Sequence, residues 1–256
     1  MTGFTLAMAL GLLVHSWPPS ASLKPLLRTH RVLVSNATIM VSNKIQTLTG
    51  SEGAFPHYRS SELCSQKRWC HLWCYGESSA QLFLSDMIVT PGYVEALTED
   101  ALTCYTFRNR DIATGASVVG VPDIGDGRVV ENLVDGIHPQ RNVTDCFFMR
   151  RMDYPWFLID LGALRAFTVV RLIVQPSGSK GVLAKMDKIE LRTGTEPVVA
   201  LGDFTSYRFF GKFGGVPVSF RQEIDIKALR PVTARFISVQ KRAVAERFQV
   251  CHVEVF

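Results

Sequence analysis

The sequence predicts a mostly β protein, in which a C-terminal β-sandwich follows a small disulfide-bonded α+β domain. Short runs of β-branched and apolar residues recur in the second half and are separated by Gly and Pro, as in all-β sandwiches. No long stretch shows the 3.6-residue period of an amphipathic helix. Four of the six cysteines precede residue 106 and two follow it. An even number on each side indicates two separately crosslinked units.

The N-terminus predicts export from the cell. Residues 4–14 are apolar and uncharged, and Val14 and Ser16 are the small residues expected at a cleavage site. This pattern is typical of a signal peptide, here residues 1–16, and the run is too short to span a bilayer comfortably. A buried N-terminal helix is the alternative, since no basic residue precedes the run. Glycosylation sequons at Asn36 and Asn142, together with the cysteines, favour a secreted, extracellular protein.

The charge pattern separates the two halves of the chain. The 256 residues carry a net charge of +5, and all of this surplus lies in residues 106–256, whereas residues 17–105 are balanced. So mild a surplus does not predict a nucleic-acid partner. Residues 108–128 are rich in Gly and Asp, which indicates a loop. We therefore predict an N-terminal domain over residues 17–105, a linker over 106–115 and a sandwich over 116–256.

The N-terminal domain has the spacing C-x5-C-x3-C at Cys64, Cys70 and Cys74, and Cys104 lies farther along the chain. Three disulfide pairings are open. A zinc site is disfavoured, because no second pair of Cys or His follows at a spacing typical of zinc ligands. Ser60 or Ser61 predicts the start of a short helix that runs through Cys64.

Two flanking segments, 31–34 and 38–41, are rich in β-branched residues and predict strands. With its cysteine-bearing helix, the domain resembles PAN/apple modules, although the later cysteine that those modules place near residues 81–83 is absent. The resemblance implies contacts with proteins or carbohydrates.

The second half contains five predicted strands: 156–161, 167–174, 188–192, 235–239 and 250–255. Gly162 should end the first of them. In the last strand, Cys251, Val253 and Val255 share one face, and His252 and Glu254 lie on the other. A disulfide between Cys146 and Cys251 would join the entry of the sandwich to its last strand.

Four motifs then occur in order: VENLVDG at 130–136, TDC at 144–146, PWFLIDLG at 155–162 and CHVEV at 251–255. As an ordered set they resemble the discoidin (coagulation-factor C-type, galactose-binding-like) superfamily and, within it, the F-type lectins or fucolectins. The resemblance covers about residues 116–256. It implies a jelly-roll β-sandwich that binds ligands through the loops at one end.

The fucose site implied by this resemblance is degenerate. F-type lectins use a His and a downstream R-x-D-x4-[RK] segment, and these positions fall here on Phe148, Gly178, Lys180 and Lys185. Only Lys185 fits, so the guanidinium that would hold sugar hydroxyls is missing. The remaining candidates for contact with a carbohydrate or another anionic ligand are the basic residues Arg150, Arg151, Lys180 and Lys185.

The resemblance also implies a calcium site. Its oxygen ligands would come from Asn132, Asp135 and Asp145, while His252 stands where the family has a Glu. Calcium needs six to eight oxygen ligands, which an imidazole does not supply. The alternative is that Asp135 and Gly136 only form a turn.

The sequence favours a binding protein over an enzyme. It contains no G-x-S-x-G, phosphate-binding loop or H-E-x-x-H motif. One hypothesis is a lectin-like protein that recognises an extracellular glycan or cell-surface glycoprotein. The other is an extracellular interaction or matrix scaffold that binds a protein partner and no sugar.

Overall fold

The computed structural model of the chain describes residues 29–40, 42, 44–49, 57–76, 81–93, 101–108, 111–120, 129–138 and 146–256. The predicted signal peptide, Asn142 and Asp145 lie outside these residues. The prediction of a mostly β chain with a C-terminal sandwich is confirmed. No helix in the described ranges has the length and apolar character needed to cross a membrane.

The N-terminal unit combines short strands with two helices. Its described elements are β1 (His30–Ser35), α1 (Asn36–Met40), β2 (Ile45–Thr49), α2 (His57–Ser65), β3 (Leu72–Gly76), β4 (Gln81–Ser85), β5 (Ile88–Val89) and β6 (Ala101–Thr106). Five of these strands form an antiparallel sheet in the order β1-β6-β3-β4-β2. Its apolar face buries Val34, Leu72 and Phe83 among others.

Two disulfides crosslink this unit, and the structure selects one of the three open pairings. Cys74 of β3 is bonded to Cys104, the residue directly opposite it on β6. Cys64 of α2 is bonded to Cys70, which lies just before β3. The first bond therefore joins two neighbouring strands, and the second ties the helix to the sheet.

The predicted strand over residues 38–41 is wrong, because α1 occupies residues 36–40. Its N-cap is Ser35, whose side-chain oxygen accepts a hydrogen bond from the backbone N–H of Thr38 at 3.1 Å. Such a cap satisfies one of the amides at the start of a helix. The local cap outweighs the β propensity of the segment. Helix α2 is present as predicted but begins at His57, a few residues before Ser60.

The sandwich pairs a six-stranded sheet with smaller two-stranded sheets. Its elements are β7 (Ser117–Gly120), β8 (Ile137–His138), β9 (Phe147–Met152), β10 (Trp156–Ile173), α3 (Lys180–Leu183), β11 (Ile189–Gly194), β12 (Arg208–Phe213), β13 (Glu223–Lys241), β14 (Glu246–Val250) and β15 (His252–Val255). The large sheet runs β12-β11-β13-β10-β15, and β7 also pairs with β10. Strands β9 and β14 form a second sheet, and β5 of the N-terminal unit pairs with β8.

Strand β10 merges two predicted strands. Gly162 does not end the first of them, because the chain continues through it as an irregular strand with shifts in register against β13. Gly162 has a φ of +75°, which few other residues adopt readily. Between Asp160 and Arg165, β10 carries three more residues than β13, so Gly162 lies in an enlarged bulge that does not end the strand.

Aromatic rings fill the space between the sheets of the sandwich. The Phe157 ring of the large sheet meets Phe147 of β9 edge-on at 6.4 Å and stacks on Phe248 of β14 at 5.8 Å between centroids. All three side chains are fully buried. Such pairs add roughly 0.5–1.5 kcal/mol to the burial of apolar area. They fix β9 and β14 against the large sheet.

The two units meet through polar contacts. Arg108, which follows β6, pairs with Glu223 at the start of β13, and Asp86 pairs with Arg221 at 2.7 Å. Asp111 accepts hydrogen bonds from the amides of Ala113 and Val255. Arg108 and Asp111, both within the predicted linker 106–115, thus contact the sandwich directly.

Candidate functional site

Strands β9 and β14 and the segment after α3 bring two cations, Lys185 and Arg247, to one aromatic ring. Phe148 of β9 is buried, and the Lys185 Nζ atom lies 4.6 Å from the centroid of its ring. The Arg247 guanidinium of β14 lies 5.3 Å from the same centroid. Cations over an aromatic face are attracted by its negative quadrupole. The Phe148 ring therefore holds two cations near one another.

Arg150 and Arg151 are exposed on β9 beside Arg247, where the pairing of β9 with β14 shifts in register. Arg151 donates a hydrogen bond through Nε to the Ala245 carbonyl at 2.6 Å. Lys180 is exposed at the start of α3, and no contact in the described structure joins it to Phe148. We call Arg150, Lys185 and Arg247 the basic face.

Two arginines of the basic face have no acidic partner among the described residues, since neither Arg150 nor Arg247 forms an ion pair there. Two acids of the same region, Asp187 and Glu246, are bound to Lys241, whose Nζ lies 2.8 Å from Asp187 Oδ1 and 3.6 Å from Glu246 Oε2. Arg150 and Arg247 can therefore contact an anionic ligand.

Lys241 also connects the two segments that carry the basic face. Its side chain is 2% exposed, and its Nζ donates to the carbonyl oxygens of Ala184 at 3.2 Å and Arg247 at 3.4 Å. Ala184 immediately precedes Lys185. One buried ammonium thus holds the backbone at both cationic residues.

Sequence reasoning did not single out Arg247. It lies about 100 residues after Phe148 and reaches it only because β14 pairs with β9, with Gln249 opposite Phe148. Lys241 was also missed, since a lysine near the end of a strand gives no sign of burial in the sequence. The signal available in the sequence was that Arg247 stands next to the apolar Phe248. In a strand, neighbouring side chains point to opposite faces, so Arg247 would be exposed if Phe248 were buried.

Gly178, where the sequence resemblance expects an arginine, has a steric reason to be glycine. Gly178 has a φ of +139°, and a Cβ placed on it would lie 2.5 Å from Nε2 of the buried Gln175. A side chain here would strain the backbone and displace Gln175. The backbone conformation therefore disfavours an arginine at this position.

We expect Gly178→Ala to lower the free energy of unfolding by about 1–2 kcal/mol, because it adds both the strained φ and the contact with Gln175. Gly215→Ala is the matched control, since its nearest neighbour to a Cβ is a Phe213 ring atom at 3.5 Å. Urea denaturation followed by tryptophan fluorescence measures both. Equal stability of the two variants would refute the steric explanation.

The proposed calcium loop forms a turn. The Asp135 carboxylate accepts a hydrogen bond from the Ile137 amide at 3.0 Å, and Gly136 has a φ of +84°. His252 is fully buried, with Nδ1 3.6 Å from Asp135 Oδ1. Burial lowers the pKa of His252 to about 4, although the Asp111 carboxylate acts in the opposite direction. Among described residues, no group of three or more Asp, Glu, His or Cys is arranged to hold a metal ion.

A network of arginines and carboxylates lies beside His252, on the face of β15 opposite Cys251. Arg171 binds Asp225 at 2.6 Å and Glu254 at 3.3 Å, and Arg108 binds Glu223. Burial raises the pKa of Glu254, against the effect of both arginines. The face of β15 that carries His252 and Glu254 is therefore polar, as predicted, but it is buried because it packs near the junction with the N-terminal unit.

Comparisons with solved structures found lectins and carbohydrate-binding modules at low sequence identity. No family model and no curated protein matches the chain. A fucolectin from striped bass (Morone saxatilis) is 15% identical with a TM-score of 0.47, over 57% of this chain and 47% of that one. This chain thus matches about half the length of that lectin.

Two further structures are similar over a comparable share of the chain. The lectin domain of lectinolysin, solved with Lewis B antigen, is 17% identical with a TM-score of 0.46, over 58% of this chain and 97% of that one. A fucose-binding module of Streptococcus pneumoniae is 14% identical with a TM-score of 0.44, over 58% and 98%. At these TM-scores the matches carry no conclusion about the ligand of this chain, and the strand order above establishes its architecture.

Proposed function

We propose that this chain is an extracellular, non-enzymatic binding protein that recognises an acidic carbohydrate through the basic face. The observation that carries the proposal is the pair of cations, Lys185 and Arg247, held over the Phe148 ring, with no carboxylate of the described residues paired with Arg247. A guanidinium binds a carboxylate or sulfate group through two parallel hydrogen bonds. The missing lectin arginine at position 178 argues against fucose bound in the usual lectin manner.

The disulfides support an extracellular location. The six cysteines form three bonds and leave no free thiol. Such bonds persist in oxidising compartments and are rare in the cytosol. A PAN/apple-like identity of the N-terminal unit is part of the same proposal, supported by the disulfide that ties α2 to the sheet.

Calcium is a further part of the proposal. Among the described residues, Asn132 and Asp135 would supply side-chain oxygens, and backbone carbonyls or Asp145 would have to complete the set of six to eight. His252, buried and neutral, would not contribute. A chelator therefore tests calcium separately from the basic face.

A glycan array with neutral and acidic glycans, run with and without chelator, tests the function. We expect binding to sulfated or uronic-acid glycans, weakened roughly tenfold by Arg247→Gln, because a charge-assisted hydrogen bond contributes about 1.5–3 kcal/mol. Arg230→Gln is the control, since Arg230 is an exposed arginine of β13 with no ion pair among described residues.

The outcomes separate the two hypotheses. Equal weakening by Arg247→Gln and Arg230→Gln would show that only net charge matters and would remove the basic face from the proposal. A silent array would favour the scaffold that binds a protein partner. If the wild-type protein binds without chelator and loses binding when chelator is added, calcium is required for binding.

A further inference from the structure

A small cleft lies where the N-terminal unit meets the sandwich. It encloses about 190 Å³, room for roughly six waters. It belongs to neither the basic face nor the proposed calcium loop. The cleft is lined by residues of both units: Trp69, His71, Asp86 and Ile88 of the N-terminal unit and His138, Arg221 and Glu223 of the sandwich.

The carboxylates of the cleft are already occupied. Asp86 Oδ1 accepts a hydrogen bond from the Lys44 amide at 3.0 Å, and Oδ2 accepts one from Arg221 Nη1 at 2.7 Å. Glu223 is bound by Arg108 and by Arg171, the latter at 2.9 Å. Both acids are therefore neutralised and offer little attraction to a cationic ligand.

The donors of the cleft are only partly occupied. Arg221 uses one of its guanidinium nitrogens on Asp86 and has no other side-chain partner among described residues. His138 is 3% exposed, and its Nε2 has no hydrogen-bond partner in the described part of the chain. The His71 ring likewise makes no hydrogen bond with a described residue. A buried polar group without a partner is destabilising, so a ligand that accepts hydrogen bonds would relieve it.

The two histidines of the cleft would act as neutral hydrogen-bonding groups. Burial lowers the pKa of His138 well below its ordinary value, and His252, Arg221 and Arg108 lower it further. The pKa of His71 is also lowered, first by burial and then by Arg108, while Glu223 and Asp86 act in the opposite direction. The positive charge that would attract an anion is therefore that of Arg221.

The backbone at Arg221 gives independent support. Arg221 has a φ of +61°, in the left-handed region that side chains rarely adopt. Its amide donates to the Gln175 carbonyl at 3.0 Å, which holds this conformation. Strain of this kind concentrates at ligand sites, where it directs a side chain toward its target.

We propose that this cleft binds a small anion, an inorganic oxyanion or a short carboxylate, between Arg221 and the two histidines. Trp69 and Ile88 would contact the hydrocarbon part of a carboxylate. Because its ligand bridges both units, the anion would also stabilise their junction. The site is separate from the proposed carbohydrate face and does not rest on it.

Titration calorimetry at neutral pH and constant ionic strength tests the site, with sodium phosphate, sodium sulfate and sodium acetate as probes against sodium chloride. We expect saturable binding of at least one probe, weakened roughly tenfold or more by Arg221→Gln, because a charge-assisted hydrogen bond is lost. Arg235→Gln is the matched control, since Arg235 also forms a salt bridge, with Asp160 at 2.7 Å, elsewhere on the sandwich.

His71→Gln is a second test that leaves the Asp86 salt bridge intact, and it decides the matter if Arg221→Gln fails to fold. It should also weaken binding, whereas Arg247→Gln should not. Phosphate or sulfate binding identifies an oxyanion, and acetate binding alone identifies a carboxylate. No binding of any probe, or equal binding by wild type and His71→Gln, would overturn the proposal without affecting the carbohydrate face.

Discussion

Replacing Cys146 and Cys251 together by alanine is expected to lower the free energy of unfolding by about 5 kcal/mol. The bond closes a segment with a sequence separation of 105 residues, and the chain-entropy model gives close to that value for such a loop. Cys146 directly precedes β9, and Cys251 lies between β14 and β15, with its amide bonded to the Ile173 carbonyl of β10. The bond thus joins both sheets of the sandwich.

The Cys64→Ala, Cys70→Ala double variant is the matched control. That bond spans a sequence separation of only 6 residues, so the same model gives about 2 kcal/mol. Urea denaturation of both double variants, with the remaining disulfides intact, measures the difference. A sandwich that loses no more stability than the control would show that its packed core, not the crosslink, holds β9 and β15 together.

Parts of β10, β11, β13 and β15 were predictable because they are short runs of apolar and β-branched residues, whereas β7, β8, β9, β12, the first part of β13 and most of β14 were not predicted. The pairing of the strands was not predictable, because register and partner depend on contacts between distant residues. Gly162 shows the limit: the sequence indicates a break, yet the partner strand β13 continues past it and turns the break into a bulge. Likewise, Ser35 as a helix cap decided the conformation of a segment whose composition favours a strand.

The candidate site was predictable in part. Lys185 was a candidate from the sequence resemblance, and the structure places its Nζ over the Phe148 ring. Arg247 and Lys241 depend on the pairing of β14 with β9, which the sequence does not reveal. The cleft between the units is harder still to predict, because Arg221 and His71 come from different units.

Lys241→Met is expected to lower the free energy of unfolding by about 3 kcal/mol and to weaken binding at the basic face. Breaking a buried ion pair typically costs about 3–5 kcal/mol, because the remaining charge is left without a partner, and the partial exposure of Asp187 moderates this. The carbonyls of Ala184 and Arg247 would also lose their donor. The backbone carrying Lys185 and Arg247 would then no longer be tied together.

Lys227→Met is the control, because Lys227 also contacts a carboxylate, Asp225 at 3.5 Å, but its side chain is 64% exposed. An exposed pair contributes at most about 1 kcal/mol, so this variant should keep nearly full stability. The double variant Lys241→Met, Asp187→Asn should recover part of the loss, because it removes the charge left unpaired. If Lys241→Met destabilises the protein but leaves glycan affinity unchanged, the lysine stabilises the fold without positioning the basic face. The side chains of Lys185 and Arg247 would then keep their places without the hydrogen bonds from Lys241.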